Sequence, residues 1–529
     1  MGKRLQDRAK SRESPTRSCV RAALTPQALM TTALSSLLLS LLTVPQDPTQ
    51  LASTATNGLG IAVYHQLAAA SPDANLCWSP WSVATALTMA AEGARGETAN
   101  EMRRALHVPD GPLAAVHDSF AALQQRLTNG SGDASPTTRA RIAALREQLA
   151  KHNGEAEAAA HAGKHRDARA ARERAAATAK ELNPLLATAD CYELTAANAL
   201  WCERRALLLP EFLTALDRHY GTGGVNLVDF HGSPEGARTT INDWVADRTQ
   251  QHIRDLIPPG AVTTDTRLVL TNAVWFRGAW KDPFEPSQTA DAVFTGKSGD
   301  TKRVRLMHDG WRDDVPYAAF TSTGEYFATP ARVPATGNSA VPTYPDDDGF
   351  QIVELPYKGG DLAMVVLLPR RHDRLAALES LMSPERLQAW LAHLERRTVD
   401  TALPRWRQRS QVQLGTPLRT LGMARAFTQP TATGGAQFEG MNGATDVDQK
   451  LFVSEAVHQA FVEVSEEGTE AAAATAVVMA PGAAAPAVVE MVPFKPVFRA
   501  DRPFVYLIRD TKSGAILFLG RVLDPTREG

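Results

Sequence analysis

Cysteine is scarce in this chain, with four among 529 residues, and no Cys-x-x-Cys pair or other metal-site spacing occurs. Cys191 and Cys202 flank a strand-like segment whose extended length holds them too far apart for a simple bridge. Cys77 sits in an apolar run, as a buried free thiol does, and Cys19 lies near the N-terminus. The sequence therefore predicts no structural disulfide and no metal site.

The chain also lacks an excess of either charge. It has 56 Lys and Arg against 58 Asp and Glu, a formal net charge of −2. This balance gives no general reason to expect a nucleic acid or an acidic surface as a partner, although a local basic patch stays open. With 44% hydrophobic and 22% charged residues, the chain can bury a sizeable core.

The apolar run at residues 33–42 is too short for an ordinary membrane span. It follows a basic stretch, and this order is typical of a secretory signal. We therefore expect the protein to be secreted or held in the cell envelope, and to be cytoplasmic if the segment is not a signal. Two alternatives stay open, which are a true start at Met30 and a disordered tail whose leucines pack on the domain.

Enzyme motifs are missing or incomplete. The tripeptide Gly296-Lys297-Ser298 echoes a phosphate-binding loop, but Asp291 stands where its first glycine should be. Neither the Gly-x-Ser-x-Gly elbow nor His-Glu-x-x-His occurs. We predict that the chain is not an enzyme and needs no cofactor.

What the chain does have is a run at positions 466–478 that is rich in small residues and, after Glu470, free of charge. Alanine-rich sequence is typical of a helix or a linker, but Pro481, Pro486 and the two strand-like stretches that follow favour an extended segment. In an extended run every second side chain faces one way. Such a segment could slide between two strands without burying a bulky or charged group. Its uncharged face would carry Thr469, Ala471, Ala473, Thr475, Val477 and Met479.

The run and several motifs before it resemble the serpins, of the inhibitory and bacterial type. Each motif alone is weak, but their number and order make the signal strong. Residues 75–87 resemble the family's buried helix, 92–98 the turn after it, 271–280 with 283–284 the central strand of the large sheet, 354–357 with 364–369 and 421–427 further family segments, and 457–464 the strand that leads into the hinge.

This resemblance implies an α+β serpin fold with three β-sheets, about nine helices and an exposed reactive-centre loop. It covers residues 51–529, after an N-terminal tail with a possible signal segment at residues 1–50. Two insertions interrupt the domain, a charged helical one at 129–190 and a proline-rich loop at 318–347.

The first insertion is rich in Ala, Arg, Glu and Lys, and its apolar positions are spaced like one helix face. A glycine could turn the chain into a second helix, so we predict a helical hairpin on the domain surface. Three histidines there are expected on a solvated surface rather than at a metal. The apolar positions are Ile142, Leu145 and Leu149, the glycines Gly154 and Gly163, and the histidines His152, His161 and His165.

The resemblance also implies site residues. His458 and Trp280 could equally be ordinary core residues, but the resemblance places both at points that control opening of the large sheet. The implied control residues are Ser79, Ser82, Asn272, His458 and Trp280; the hinge is Glu466, Gly468, Thr469, Glu470, Ala471, Ala472, Ala473, Ala474 and Thr475; and the reactive bond is Gly482–Ala483.

A serpin of this kind would act as a suicide substrate for a serine protease, held as a covalent acyl complex, with the cleaved loop inserted into the central sheet. No Arg or Lys occurs between Thr469 and Lys495, so an elastase-like or subtilisin-like target fits better than a trypsin-like one. We expect a monomer with no nucleic-acid partner and no stable membrane span. The alternative is a non-inhibitory serpin that binds or stores a ligand, but the small hinge residues favour inhibition.

Overall fold

The structure is a computed structural model that describes residues 47–110, 113–129, 136–161, 164–188, 192–221, 224–329, 332–334, 347–469 and 491–528. The tail before residue 47 and residues 470–490 of the predicted loop lie outside these ranges. The described residues from Pro48 onward belong to one compact unit.

The described residues form twelve α-helices. The prediction was about nine helices plus a helical hairpin in the first insertion. The twelfth helix has only four residues. They are α1 (Gln50–Ala70), α2 (Pro80–Gly93), α3 (Gly96–Ala105), α4 (Ala114–Asn129), α5 (Pro136–His161), α6 (His165–Thr188), α7 (Pro210–Tyr220), α8 (Pro234–Arg248), α9 (Leu375–Leu381), α10 (Pro384–Ala392), α11 (Gly415–Thr420) and α12 (Glu439–Asn442).

The described ranges also contain eighteen strands. They are β1 (Leu76–Trp78), β2 (Glu193–Glu203), β3 (Val225–Val228), β4 (Leu268–Ala279), β5 (Ala290–Thr295), β6 (Thr301–Phe320), β7 (Tyr326–Phe327), β8 (Arg332–Pro334), β9 (Phe350–Pro356), β10 (Leu362–Pro369), β11 (Glu395–Pro404), β12 (Trp406–Gln413), β13 (Val453–Val464), β14 (Gly468–Thr469), β15 (Met491–Pro493), β16 (Val497–Arg499), β17 (Phe504–Asp510) and β18 (Ile516–Val522).

Six of these strands form the central sheet, in the order β12-β13-β4-β2-β3, with β14 added to β4. The second sheet has ten strands in the order β1-β18-β17-β10-β9-β6-β11-β16, with β5 and β7 paired to β6. Strand β10 is buried along its whole length, as expected of a continuous apolar run covered on both faces. A two-stranded ribbon of β8 and β15 completes the three sheets.

Helix α2 lies under the central sheet and is buried almost throughout. Its start is well defined, because Pro80 occupies the first turn and the Ser79 hydroxyl accepts the backbone N–H of Ser82 at 3.2 Å. The three residues before Ser79 form β1 on the edge of the second sheet, opposite β18. The family's buried helix therefore begins at Pro80, and the first part of the matching motif is a strand.

Helix α8 covers the outer face of the central sheet. Ile241 and Val245 of α8 pack with Trp201 of β2, Ala273 of β4 and Val457 of β13 in an apolar cluster separate from the main core. The chain after α8 continues across the sheet, where the Gln411 side chain of β12 donates to the backbone oxygen of Leu256 at 2.6 Å. Both faces of the central sheet are therefore covered.

Residues 136–188 fold as the helix pair α5 and α6. The helices run antiparallel, since Arg141 pairs with Glu181 and Arg174 contacts Glu155 at 2.9 Å. Gly154 lies inside α5 and does not turn the chain, because a single glycine in a helix costs only about 1 kcal/mol. The reversal lies between the two helices, and Gly163 is outside the described residues. The predicted apolar positions Ile142, Leu145 and Leu149 pack against Leu182 and Leu185.

The stretch at 318–347 is not a loop throughout. Residues 318–320 belong to β6, and β7 pairs back on them with Ala319 opposite Phe327. Strand β8 pairs with β15, Val333 opposite Val492, so the segment after the predicted loop is attached to this insertion. The prolines hid these short pairings, because proline in a sequence argues against a strand. Residues 335–346 lie outside the described ranges.

Cys77 in β1 and Cys202 in β2 are buried free thiols, and burial raises the pKa of each to about 12. A thiol with so high a pKa stays protonated and unreactive. Cys19 and Cys191 lie outside the described residues, so the predicted separation of Cys191 from Cys202 stays a prediction.

Gly296-Lys297-Ser298 forms the turn between β5 and β6, where the Gly296 N–H donates to the Asp300 oxygen at 2.7 Å. The chain continues as strand β6 at Thr301. A phosphate loop needs a helix N-terminus directly after it. The resemblance to such a loop is therefore only one of sequence.

Candidate functional site

The two middle strands of the central sheet run parallel. Strands β13 and β4 pair from Val453 opposite Leu268 to Phe461 opposite Trp275, and their pairing ends there. Strand β4 nevertheless continues to Ala279. A strand placed between two parallel strands can run antiparallel to both, which is the favourable hydrogen-bonding arrangement.

The chain turns back directly after β13. The N–H of Ser465 donates to the oxygen of Gly468 at 2.8 Å, and the N–H of Gly468 donates in return at 3.3 Å. Strand β14 then runs antiparallel to β4, with Gly468 opposite Ala279 and Thr469 opposite Gly278. The first residues of the predicted hinge are therefore already paired with the end of β4.

Gly468 fits this turn only because it has no side chain. Its φ is +147°, and a Cβ atom built on it would lie 2.1 Å from the backbone oxygen of Gly278. Real Cβ atoms do not approach an oxygen so closely. The position therefore requires glycine both for its conformation and for the approach of the two backbones.

Glu466, in the same turn, is buried with 4% of its surface exposed. Burial alone would raise its pKa, but hydrogen bonds from Arg405 Nε, at 2.8 Å, and from the Thr289 hydroxyl hold the pKa below its usual value. Burial and the adjacent Glu466 raise the pKa of Glu467. The buried Glu466 carboxylate, paired with Arg405 and Thr289, therefore stabilises the turn. The repulsion between the two adjacent carboxylates appears as the raised pKa of Glu467.

Trp280 directly follows β4, at the end of the sheet where β4 is no longer paired with β13 and β14 joins it. This end is called the upper opening of the sheet. Its ring stacks on Tyr357, with centroids 4.7 Å apart and planes 12° from parallel. Its indole Nε1 donates to the Ser465 oxygen at 3.0 Å, and its backbone N–H donates to the Glu467 oxygen at 2.8 Å. Trp280 therefore bonds two residues of the turn that starts the hinge, Ser465 and Glu467, besides packing in the core.

A second group of polar residues lies at one level across the middle of the sheet. Asn198 of β2 stands opposite Asn272 of β4, and Asn272 stands opposite His458 of β13. Asn272 and His458 are almost fully buried. The three side chains therefore lie side by side on neighbouring strands. They cross the boundary between the parallel strands β4 and β13, which is called the seam.

Residues at the start of α2 form hydrogen bonds with all three of these side chains. The Ser82 hydroxyl donates to Asn198 Oδ1 at 2.5 Å, and Asn272 Nδ2 donates to the Ser82 oxygen and to Asn198 Oδ1, each at 3.3 Å. On the other side of the seam, the Ser79 N–H donates to His458 Nε2 at 2.9 Å. One helix terminus therefore holds both strands that would have to part.

The hydrogen bond to His458 also fixes its protonation. A backbone N–H can only donate, so Nε2 must be without a proton and the ring neutral. Burial away from water lowers the pKa of His458 to about 3. At neutral pH the ring is therefore an acceptor that joins β13 to α2.

The sequence-predicted residues fall into two groups within the described part of the chain. Ser79, Ser82, Asn272 and His458 form the network at the middle of the sheet, and Glu466, Gly468, Thr469 and Trp280 meet at its upper opening. The hinge residues Glu470, Ala471, Ala472, Ala473, Ala474 and Thr475 and the predicted reactive bond Gly482–Ala483 lie outside the described residues.

Three participants were missed by sequence reasoning. Asn198 accepts from both Ser82 and Asn272, Arg405 pairs with Glu466, and Tyr357 carries the Trp280 stack. Asn198 had a weak signal, since it is a polar residue in the middle of the strand-like segment 192–201. Tyr357 lay in the family segment 354–357 but without an assigned role, and Arg405 had no signal, because both roles depend on strands distant in sequence.

Within the described ranges, no cluster of three His, Cys, Asp or Glu side chains could hold a metal ion. In the same ranges, no helix is long and apolar enough to cross a membrane. The polar contacts shown at the site are hydrogen bonds and ion pairs among the two middle strands, α2 and the turn after β13.

Known proteins match the chain over most of its length. A family model described as Serpin (serine protease inhibitor) matches residues 54–153 and 143–525. Human Serpin B3 is 32% identical over 457 residues, covering 86% of this chain and 95% of the relative. The rat leukocyte elastase inhibitor A is 30% identical over 479 residues, covering 89% of this chain and 99% of the relative.

Solved structures agree on the fold. A tumour suppressing serpin is similar with a TM-score of 0.62 at 21% identity, covering 90% of this chain and 100% of the other. Uncleaved ovalbumin is similar with a TM-score of 0.61 at 23% identity, covering 89% and 99%. Both show the predicted α+β architecture. With the family model matched along almost the whole described unit, the chain belongs to the serpin family.

Proposed function

We propose that this serpin is an inhibitor of serine proteases that traps its target by inserting its cleaved loop into the central sheet. The proposal rests on one observation. The hinge starts antiparallel to β4, at the end of the sheet where the parallel strands β4 and β13 are no longer paired. A chain that continues in this direction would enter the seam antiparallel to both strands. That is the arrangement a new middle strand needs.

The hinge sequence suits insertion. Positions 469, 471, 473 and 475 are Thr, Ala, Ala and Thr, and they would share one face of the new strand. Small uncharged side chains can pass into a packed interior at little cost. Glu470 would lie on the opposite face.

The proposed mechanism begins with attack by the protease serine on the bait carbonyl, which gives an acyl-enzyme and frees the hinge. The new strand would form about ten to fifteen ladder hydrogen bonds at about 1 kcal/mol each, so about 10 kcal/mol becomes available. Loss of one oxyanion-hole donor costs an enzyme about 3 kcal/mol. Insertion therefore releases enough free energy to distort the trapped protease and stop deacylation.

The uncleaved state must then be stable only kinetically. The network at Ser79, Ser82, Asn198, Asn272 and His458 supports this, because the seam cannot widen unless α2 releases one of the two strands. The Glu466–Arg405 pair and the Trp280 contacts hold the upper opening in the same way. Together they would delay insertion until the loop is cut.

The target we propose is an elastase-like or subtilisin-like protease. The predicted bond Gly482–Ala483 lies in a neighbourhood of Met, Ala, Pro and Gly without a cation. The matched relative named a leukocyte elastase inhibitor supports this choice. The chain would act as a monomer.

We also propose that the protein is exported, because a basic segment precedes a short apolar one at the N-terminus. A cytoplasmic location is the alternative. A bacterial type of serpin stays a prediction, and the matched animal relatives do not support it.

The test is incubation of the chain with pancreatic elastase and with subtilisin, followed by a denaturing gel and mass spectrometry of the released C-terminal peptide. We expect a complex that survives denaturation and a peptide that begins at Ala483. Cleavage without a complex leaves two outcomes for a melting scan. A large rise in melting temperature after the cut would mean that the loop inserts but the protease was unsuitable, and no rise would favour the binding or storage alternative.

A further inference from the structure

Two histidine rings stack where α7 packs on α4. The centroids of His117 and His219 lie 5.4 Å apart, with the ring planes 23° from parallel. The His117 side chain is 2% exposed and that of His219 9%. Neither belongs to the two groups that fasten the central sheet.

Each ring has a carboxylate partner. His117 Nε2 lies 2.9 Å from Glu92 Oε2 of α2, and His117 Nδ1 lies 2.7 Å from the Tyr220 hydroxyl of α7. His219 Nδ1 lies 3.4 Å from Asp118 of α4. The contact between α4 and α7 therefore includes several groups that can titrate.

Burial and the nearest charges disfavour a proton on His219. Burial and the neighbouring His117 lower the pKa of His219, and Arg218 on the same helix acts in the same direction. Asp118 and Glu92 act in the opposite direction, but the Asp118 side chain is 64% exposed. Water therefore screens the attraction between the Asp118 carboxylate and a proton on His219.

The α4–α7 contact crosses a boundary that must move if the sheet widens. A new strand between β13 and β4 separates them by one further strand spacing, about 4.8 Å. Helix α7 connects β2 to β3, and both strands lie on the β4 side of the seam. Helix α7 would have to move with that side.

Helix α4 is attached to the other part of the molecule. The Ser119 hydroxyl of α4 accepts the Ala52 N–H of α1 at 3.0 Å, and Asn57 of α1 bonds Gly514 and Ile516 beside β18, each at 2.9 Å.

Strand β13 is attached to the same second sheet through its neighbour β12. Ser410 of β12 accepts the Cys77 N–H of β1 at 3.1 Å, and Gln408 of β12 accepts the Tyr506 hydroxyl of β17 at 3.0 Å. Helix α4 and strand β13 are thus bonded to the same second sheet, and α7 would leave α4 together with Tyr192 before β2, whose hydroxyl donates to the Leu127 oxygen of α4 at 3.0 Å.

We propose that the His117–His219 stack is a pH-sensitive latch between α4 and α7, and that protonation of His219 releases α7 and eases the widening of the central sheet. The second half of this statement rests on the proposed function. Released into water, His219 would take up a proton with the ordinary pKa of a histidine, about 6.5, which it resists in the docked helix. Acid therefore favours the released state.

The latch can be measured without a protease. Hydrogen exchange of the α7 amides is followed by mass spectrometry in the full chain at about pH 7.5 and about pH 5.5, as protection relative to the unfolded chain at the same pH. We expect the protection of α7 to fall about tenfold in acid, since one linked proton gives up to a factor of ten per pH unit. His219→Phe, which keeps a ring in the stack and cannot titrate, should lose most of this dependence, as should His219→Gln.

His393→Phe is the matched control, because the His393 ring also stacks on an aromatic neighbour, Tyr326, at 4.2 Å but lies away from α7. It should behave like the unaltered chain. Equal protection of α7 at both pH values in the unaltered chain, or an undiminished fall in His219→Phe, overturns the latch.

The link to the sheet is measured by uptake of a synthetic peptide that copies residues 469–482, followed on a native gel. Uptake should be faster at the lower pH in the unaltered chain and nearly independent of pH in His219→Phe. Uptake that ignores the substitution while α7 exchange responds would overturn the link. If the unaltered chain takes up no peptide at any pH, the proposed function fails, and the exchange result still decides the latch.

Discussion

The backbone N–H of Ser79 donates to Nε2 of His458 at 2.9 Å, so the cap of a buried helix is bonded directly to the strand at the seam of the central sheet. On the opposite side of that seam, Asn272 donates to the oxygen of Ser82 in the same helix. Opening the sheet requires at least one of these bonds to break. The helix terminus is therefore bonded to both strands between which, under the proposed function, the loop would insert.

Replacing His458 by alanine should loosen the closed sheet. The substitution leaves the buried Ser79 N–H without an acceptor, which costs about 1–3 kcal/mol. We expect a lower melting temperature and faster uptake of a peptide that copies residues 469–482. His231→Ala, at an exposed position, is the control and should change neither. A His458→Ala chain as stable and as slow as the unaltered one would contradict the role assigned to this bond.

Acid should weaken the same bond. The pKa of His458 is about 3 in the folded chain and about 6.5 in an unfolded one. The unfolded state therefore binds a proton that the closed sheet excludes. This contribution to stability is complete above about pH 6.5 and is lost towards about pH 3, by up to about 1.4 kcal/mol per pH unit.

Chemical unfolding between about pH 6.5 and pH 5, where few carboxylates titrate, measures this slope. His458→Gln, which can accept the Ser79 N–H without titrating, should reduce the slope by close to one proton. An identical slope in both chains would show that His458 is not the titrating group.

Removing the charge of Glu466 should open the upper end of the sheet. Glu466→Gln loses the charge-assisted bond to Arg405, worth about 1.5–3 kcal/mol. We expect faster spontaneous conversion of the uncleaved chain to a loop-inserted or self-associated form at raised temperature, read by size-exclusion chromatography. Glu463→Gln is the control, because its pair with Arg407 is half-exposed and worth less than about 1 kcal/mol. Equal conversion rates for the two variants would count against the Glu466 fastening.

Gly468→Ala should displace β14 from β4. The new methyl group would meet the Gly278 oxygen at 2.1 Å, and the φ of +147° is unfavourable for alanine. We expect a loss of about 1–3 kcal/mol in chemical unfolding. Gly434→Ala, where no atom lies within 4 Å of the added carbon, should be nearly neutral. If the two substitutions cost the same, the close pairing of β14 with β4 is not formed in solution.

Ala473→Arg should turn an inhibitor into a substrate. The side chain would enter the packed face of the inserted strand as an unpaired charge, at a cost of several kcal/mol. We expect cleavage by the target protease with little covalent complex on a denaturing gel. Glu470→Arg is the matched control, since residue 470 lies on the opposite face of an extended hinge and should leave complex formation largely intact. Full complex formation by Ala473→Arg would argue against insertion along this face.

Much of this architecture could be predicted from local sequence. The apolar positions Ile142, Leu145 and Leu149 predicted a helix in the first insertion, and that face packs against Leu182 in the hairpin. The prediction worked because helical periodicity is a local property. Of the two glycines predicted as possible turns, Gly154 lies inside a helix, since a lone glycine does not end a helix that its neighbours support.

The short strands within 318–347 were not predictable from their own residues. Strand β8 exists through its pairing with β15, more than 150 residues later in the chain. Arg405 and Tyr357 are similar cases, because each contributes to the site only through a partner on another strand. Cross-strand partners depend on register, and register is set by the whole sheet.

The family, the order of the main elements and the small side chains of the hinge can be identified without coordinates, because they depend on residue identity and spacing along the chain. Which groups bond the two middle strands to α2 depends on how the chain packs. His458 is a neutral acceptor because burial removes water from its ring and aims the Ser79 N–H at Nε2. Burial and the direction of a hydrogen bond are properties of the packed molecule, so no local pattern contains them.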